Sequence, residues 1–470
     1  MTRKTLSLGA FLVALLIAAC AAAQTSGIRI PQIKFTDYRL PNGLRVLLSV
    51  DHSAPVVAVS VTYDVGSRNE PPGKNGFAHL FEHMMFQGSA NVGKGEHMML
   101  IQNNGGTMNG TTNKDRTNYF EELPSNQLEL ALFLESDRMR SLDVSQSNLE
   151  NQRAVVEEEK RQSYDNQPYS AMGELIDSLA YTSFGYQHST IGSNKDLDAA
   201  TLEDVRAFHE AYYAPNNAAI AVVGDFDEGA AKKKIEHYFG DIPRHATPPP
   251  PDLTEKPLAG EQRKTITDPL ARAIRYEAAY KTVDGSDPDS YALQVLGSIL
   301  SRGRTSRLYK AIIEKGLATN AVAGGFAERG PALFSCSATV PADGDVNAVE
   351  KAFDAEIAGI QADGVTDEEI KRARTQALAA AIVGGGGRGR GGGGGPGGGL
   401  MTVLGRANAL TQNAIFFNDP GRINTNLTRL EAVTAADVQR VARKYLVKEN
   451  RVVVIALPEP DSSFGGFGGN

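Results

Sequence analysis

Cysteine is nearly absent from this chain: Cys20 and Cys336 are the only two in 470 residues. No disulfide framework can therefore hold the fold. An excess of basic residues is missing as well. The formal net charge is −7, which excludes the broad positive face that nucleic acid or an anionic lipid surface needs. Histidine is scarce and one-sided, with eight residues and none beyond His245. Stability must come from apolar burial, which a hydrophobic fraction of 41% can supply.

Residues 1–24, "MTRKTLSLGAFLVALLIAACAAAQ", have a basic start at Arg3 and Lys4, an apolar stretch from Leu6 to Ala19 and a small-residue tail. That is the pattern of a secretory signal peptide, and it predicts an exported protein, in a bacterium a periplasmic one. The stretch is too short and too rich in small residues for a membrane span. Ala21-Ala22-Ala23 suits ordinary signal cleavage, whereas Ile17-Ala18-Ala19-Cys20 resembles the box at which a lipoprotein is cut and anchored through its cysteine. Both readings stay open.

An internal echo divides the rest in two. Thr201, Asp204, Val205 and Tyr212, followed by "AAIAVVGD", recur as Thr434, Asp437, Val438 and Tyr445, followed by "RVVVIALP". Each copy reads as a helix with Thr at its N-cap feeding a buried strand. Two looser echoes accompany it: "VVAVSVTYDVG" near Tyr63 against "AIRYEAAYKT" near Tyr280, and Gly105-Gly106 against Gly324-Gly325, each pair taken as preceding a strand. Between the copies, "ATPPPPDLTEKPLAGEQ" carries four consecutive prolines, which form a stiff extended spacer.

The expected fold is of the α/β (α+β) type. Two duplicated α/β domains, each a mostly antiparallel sheet covered by helices, face each other across a cleft. The first spans 25–245, the joint 246–262 and the second 263–460, with a flexible tail at 461–470. Residues 384–399, "GGGGRGRGGGGGPGGG", interrupt helical sequence in the second half and read as a low-complexity loop.

The chemistry concentrates in "FAHLFEHMMF", residues 77–86. A histidine on a helix is usually an ordinary core or surface residue. With eight His and 55 Asp plus Glu in the chain, however, chance matches to H-x-x-[DE]-H number only about 0.02. On a helix His79, Glu82 and His83 share one face. Burying them among Phe77, Leu80, Phe81, Met84 and Met85 is costly unless something satisfies them. Zinc would do so, held by His79 and His83, while Glu82 handles the proton of an activated water. The order H-x-x-E-H is the inverzincin signature.

A catalytic zinc needs a third protein ligand. Downstream, "LENQRAVVEEEKRQ" offers Glu157, Glu158 and Glu159. At about 100° per residue, Leu149, Val155 and Val156 outline an apolar stripe with Glu159 in its middle, while Glu157 and Glu158 fall outside it. A lone carboxylate in such a stripe calls for a cation.

His79-x-x-Glu82-His83 with Glu159 in "RAVVEEEKRQ" resembles the zinc site of the pitrilysin or insulinase family of metallopeptidases. The likeness is greatest to the bacterial branch similar to the mitochondrial processing peptidase. It extends through "LPNGLRVLL", "GGTMNGTTNKDRTNYF", "FGYQHSTIGS" and "GRTSRLY". The resemblance implies one zinc per chain on His79, His83 and Glu159, and Glu82 as general base. It also implies peptides or unfolded polypeptides as substrates in a chamber between α/β halves, and homo- or heterodimers with a related subunit. Two departures stand out. A helper carboxylate present in some relatives is replaced here by Gln152. Carbonyl-orienting Arg and Tyr groups have only Arg272 and Tyr280 as nearby counterparts.

The leading expectation is an exported zinc endopeptidase whose substrate lies extended along an edge strand in "GTMNGTTNKDRTNYF", with Asn109 as a contact. One alternative is a non-catalytic or partner-dependent subunit of a hetero-oligomeric peptidase complex; a non-catalytic one would be expected to lack the zinc ligands. Another is a zinc-stabilised binding protein, which would require a fourth protein ligand.

Overall fold

Both apolar runs that follow a Thr-capped helix are central strands of a sheet, in a computed structural model that describes residues 30–325, 329–384 and 398–460. The expected signal segment with Cys20, the tail 461–470 and nearly all of the Gly-rich stretch lie outside the described residues. The strands are β1 (Thr36–Arg39), β2 (Arg45–Val50), β3 (Val56–Tyr63), β4 (Thr107–Thr112), β5 (Thr117–Pro124) and β6 (Ala218–Gly224) in the first half. The second half holds β7 (Gln262–Asp268), β8 (Ile274–Lys281), β9 (Asn320–Gly324), β10 (Leu333–Val340) and β11 (Arg451–Pro458).

One sheet runs β1-β2-β6-β3-β5-β4 and the other β7-β11-β8-β10-β9. Apart from the extra β1, these orders correspond strand for strand. In each sheet a single parallel pair, β2 with β6 and β7 with β11, sits beside an otherwise antiparallel ladder. The duplication legible in the sequence is therefore a duplication of topology. Thr201 and Thr434 accept hydrogen bonds from the backbone N–H groups of Asp204 and Asp437, closing matched capping boxes on helices Leu202–Tyr212 and Ala435–Tyr445. Gly324-Gly325 do precede β10, as "ALFSCSATV" suggests, but the two glycine pairs are not equivalent. Gly105-Gly106 precede the edge strand β4, whereas Gly324 ends its counterpart β9, so the two pairs occupy opposite ends of equivalent strands.

The first half carries helices α1 (Phe77–Met84), α2 (Glu96–Asn103), α3 (Leu128–Ser141), α4 (Gln146–Lys160), α5 (Ser170–Ala180), α6 (Leu202–Tyr212) and α7 (Glu228–Phe239). The second carries α8 (Asp289–Ser301), α9 (Val346–Asp363), α10 (Asp367–Ala379), α11 (Val403–Phe417), α12 (Arg422–Ala432) and α13 (Ala435–Tyr445). Alternation along the strands builds two cores. Val46, Leu48, Val57, Val59 and Val61 face Phe77, Leu80, Phe81 and Met84 of α1. Leu47, Ala58, Ala219, Ala221 and Val223, on the opposite face, pack against Ala407, Leu410 and Ala414 of α11.

The halves thus exchange helices: α11 comes from the second half and covers the first sheet. In return Met172, Ile176 and Ala180 of α5 pack on Ala279, Val452, Val454 and Ala456 of the second sheet. Small side chains on β3 permit the close approach of α11, and polar ones fix it. The Ser60 hydroxyl donates to Asn408 Oδ1 at 2.8 Å, and the Thr62 hydroxyl to Thr411 Oγ1 at 2.8 Å.

Candidate metal centre and active site

Helix α1 has only two turns, so its placement depends on how its ends are held. Gly76 caps it in the left-handed region, at φ 100°. The Glu70 carboxylate accepts from the N–H groups of Gly76 at 3.0 Å and Ala78 at 2.8 Å, which places an anion at the positive end of the helix. His188 lies on the same carboxylate, Nε2 to Oε2 2.9 Å, while its Nδ1 is 2.8 Å from the Phe184 carbonyl. Burial by itself lowers the His188 pKa, but the Glu70 hydrogen bond and charge outweigh it and the imidazole ends up raised. Gly192 packs so tightly on this turn that a Cβ there would stand 2.3 Å from the Gly76 Cα. The motif "FGYQHSTIGS" therefore docks the start of α1.

With Phe77, Leu80, Phe81 and Met84 buried, the helical period turns His79, Glu82 and His83 to the other side. Glu159, at the C-terminal end of α4, meets them there. Its Oε2 is 3.1 Å from His83 Nε2 and 3.8 Å from His79 Nε2, and the three donors lie within 4.8 Å of one another. The imidazole rings stand nearly perpendicular, 4.8 Å between centroids. Donors around one tetrahedral zinc are separated by about 3.3 Å, so the set fits that ion. Burial, with the charge of His83 added, pushes His79 down to about 4 against the pull of Glu159. It is therefore neutral at physiological pH, the form a metal requires. The hydrogen bond from His83 lowers the Glu159 carboxyl.

The predicted helical stripe is displaced. Val155, assigned to its buried side, is 42% exposed, and the buried face of α4 is Asn148, Leu149, Gln152 and Val156. Glu159 falls between Asn148 and Gln152 around the helix, near its C-terminal end, with its side chain 40% exposed. What brings it to the histidines is the packing of α4 on α1, which a wheel of one helix does not contain. Glu157 points elsewhere: burial, then the carboxylate of Asp198, raises its pKa. Gln152 is buried and donates to Asn151 Oδ1 at 2.7 Å.

Glu82 stands against the sheet edge. β4 is the outermost strand of its sheet, and a Cβ on Gly110 would lie 3.0 Å from the Glu82 Cγ. Burial raises the Glu82 carboxyl, while the Thr112 hydroxyl and the charges of His83 and Arg116 pull it back. Thr112 and Arg116 escape a reading of the sequence because they reach Glu82 only through the β4–β5 hairpin. Asn109 is exposed on β4 rather than in a turn, and its Oδ1 accepts from the Gly110 N–H at 2.9 Å. The Arg272 and Tyr280 candidates part company. Arg272 is exposed between β7 and β8, whereas the Tyr280 hydroxyl is buried and accepts from Arg451 at 3.3 Å.

Two histidines and a downstream glutamate converge on one point, with the Glu82 carboxylate beside them, on a duplicated α/β scaffold, an arrangement of the H-x-x-E-H class. Residues 45–194 match the family described as insulinase (peptidase family M16), and residues 199–377 match the peptidase M16 inactive domain. The chain belongs to the M16, or insulinase, family of metallopeptidases. The zinc protease PqqE of Helicobacter pylori is 30% identical over 285 residues, 60% of this chain and 64% of that one, just under two thirds of that relative's length. A crystal structure of a protease from Helicobacter pylori has a TM-score of 0.82 at 25% identity, covering 91% of this chain and 100% of that one. The periplasmic protease PqqL of Escherichia coli shares the fold, with a TM-score of 0.70 at 17% identity, covering 92% of this chain and 48% of that one.

Proposed function

We propose that this chain is a zinc endopeptidase that hydrolyses extended, unfolded peptide lying along the free edge of β4, with one zinc on His79, His83 and Glu159. The observation that carries the reading is the position of Glu82: it shares a helix face with the two histidines and lies against the edge strand. Zinc held there would supply Lewis acidity toward a water and a peptide carbonyl. Glu82 would accept the proton of that water and pass it to the leaving amine. Its raised pKa places it nearer the operating pH than an ordinary carboxylate. An edge strand offers backbone groups without demanding a sequence, which suits a protease of broad preference.

A peptide has no access to the sheet faces, because helices cover them, α11 and α5 across the two halves among them. A closed chamber would then form between two such chains, and the burial of Tyr280 leaves the carbonyl-orienting groups to a second copy or a related subunit. A fold that spans only about half of PqqL supports that pairing. The same requirement leaves a partner-dependent subunit as the second reading. Export to a periplasm, with or without a lipid at Cys20, is proposed on the N-terminal sequence. Among the described residues no helix is long and apolar enough to cross a membrane.

The decisive experiment compares the purified full chain with its Glu82→Gln variant, reading zinc content and cleavage of an unstructured peptide. The expected outcome is equal zinc with hydrolysis reduced by about 10²–10⁴-fold in the variant. Zinc-loaded Glu82→Gln that cleaves at the original rate would remove Glu82 from the chemistry.

A further inference from the structure

Behind α1 lies a second set of metal-binding side chains, unrelated to the H-x-x-E-H motif. His97 of α2, Glu121 of β5 and Glu135 of α3 bring one donor atom each within 4.8 Å of one another. All three are buried, the two carboxylates completely. Arg138, one turn along from Glu135, holds that carboxylate with a two-pronged contact, Nε to Oε2 3.0 Å and Nη2 to Oε1. The guanidinium lies 4.3 Å over the ring of Tyr119 and 5.4 Å from that of Phe86, and Phe86 stands edge-on to His97 at 6.2 Å.

Two observations show the set to be incomplete as it stands. His97 Nε2 is buried with no hydrogen-bond partner, and the Glu121 oxygens have the Glu135 carboxylate beside them in place of an N–H or hydroxyl donor. Two carboxylates and one guanidinium also leave a net negative charge in a solvent-free site, which is costly without a further cation. A proton shared between Glu121 and Glu135 would balance the charge but would leave His97 Nε2 without a partner. A metal ion answers all three groups at once.

We infer that His97, Glu121 and Glu135 form a second, structural site for a divalent metal of the zinc class, with Arg138 orienting Glu135. One imidazole nitrogen and two carboxylate oxygens are a donor set of that class. Around one ion such donors stand about 3.3 Å apart, so modest side-chain rotation closes the ring seen here. Arg138 then has the role of an outer group that fixes a ligating carboxylate. The site joins α2, β5 and α3 at one point. Through Phe86 and Tyr119 it backs the end of α1, where the Tyr119 hydroxyl donates to the Phe81 carbonyl at 3.2 Å. It goes beyond the peptidase reading and stands independently of it.

Metal counting tests it. The full chain, His97→Ala and His79→Ala/His83→Ala would be produced with zinc supplied, desalted, and assayed by plasma mass spectrometry, with near-ultraviolet circular dichroism as the check of folding. Two zinc ions per wild-type chain are expected, and one in each variant. If His97→Ala does not fold, Glu121→Gln, which keeps the side-chain shape, replaces it with the same expectation. One zinc in wild type that persists in His97→Ala and vanishes in His79→Ala/His83→Ala overturns the proposal and leaves the shared proton. A wild-type chain with no zinc overturns it too. One zinc that survives loss of His79 and His83 but not of His97 upholds the buried site and removes the proposed active site instead.

Discussion

Gly110 on the edge strand lies so close to Glu82 that a methyl group there would stand 3.0 Å from its Cγ, with Phe86 and Tyr119 each 3.2 Å away on the other sides. The strand and the proposed base are therefore positioned against each other, and a side chain at 110 crowds Glu82 first, with Phe86 and Tyr119 next. Because the atoms nearest that position belong to Glu82, Phe86 and Tyr119 and not to the proposed zinc ligands, Gly110→Ala should leave zinc content intact. Displacement of a reacting group by a fraction of an ångström to an ångström should lower kcat/KM by about 10–100-fold. Unchanged turnover in the zinc-loaded variant would show that the edge does not set the position of Glu82.

Glu157 and Glu159 are two residues apart and face different partners. Glu159→Ala removes the carboxylate on His83 and should cost the zinc proposed for His79 and His83, lowering the metal count by one. Glu157 instead faces Asp198, and its raised pKa marks an interaction that disfavours its charge. An acid raised in the folded state lowers stability above its unfolded pKa and is neutral in effect below it. Glu157→Gln should therefore keep zinc and melt at or slightly above wild type at pH 7.5, with that difference gone at pH 4. Zinc loss from both variants would show that α4 is rotated from the register described.

The His188–Glu70 pair gives the helix of His79, Glu82 and His83 a pH dependence of its own. The folded pKa of His188 is raised, so the stability gained from its protonation is fully present below the unfolded value of about 6.5 and is lost as pH rises through the folded value. His188→Gln should cost about 1–3 kcal/mol near pH 6. The gap in melting temperature from wild type should narrow in alkaline buffer. A gap constant with pH would mean that His188 acts by packing alone.

How far the sequence carries can be seen in particular residues. Thr201 and Thr434 announced their capping boxes because an N-cap is a local device, set by four consecutive residues. The H-x-x-E-H face was legible for the same reason. Glu159 does lie beside the two histidines, but the stripe that points to it includes Val155, which is exposed. The real cause is contact between α1 and α4, a tertiary fact. Gly105-Gly106 and Gly324-Gly325 looked equivalent because a dipeptide carries no register. His97, Glu121 and Glu135 come from three elements with no common spacing, so no motif search would have joined them. The sequence also reads as helical over 400–416, where the helix is Val403–Phe417, yet nothing local says which sheet a helix will cover.

That last point changes what a fragment should do. Read as sequence, a chain ending near Pro248 holds every histidine and both halves of the zinc site, and would be expected to bind metal alone. In the fold, such a fragment lacks α11 and leaves Leu47, Ala58, Ala219, Ala221 and Val223 uncovered on one sheet face. Its own α5 loses the surface formed by Ala279, Val452, Val454 and Ala456. Residues 25–248 should therefore aggregate or bind a hydrophobic dye, and regain zinc binding only when residues 249–470 are supplied as a second chain. In the full protein, Leu410→Ala should cost about 2–5 kcal/mol and shift a single cooperative transition rather than splitting it in two. A fragment that is folded, monomeric and zinc-loaded by itself would mean that the exchanged helices are not needed to hold the first half together.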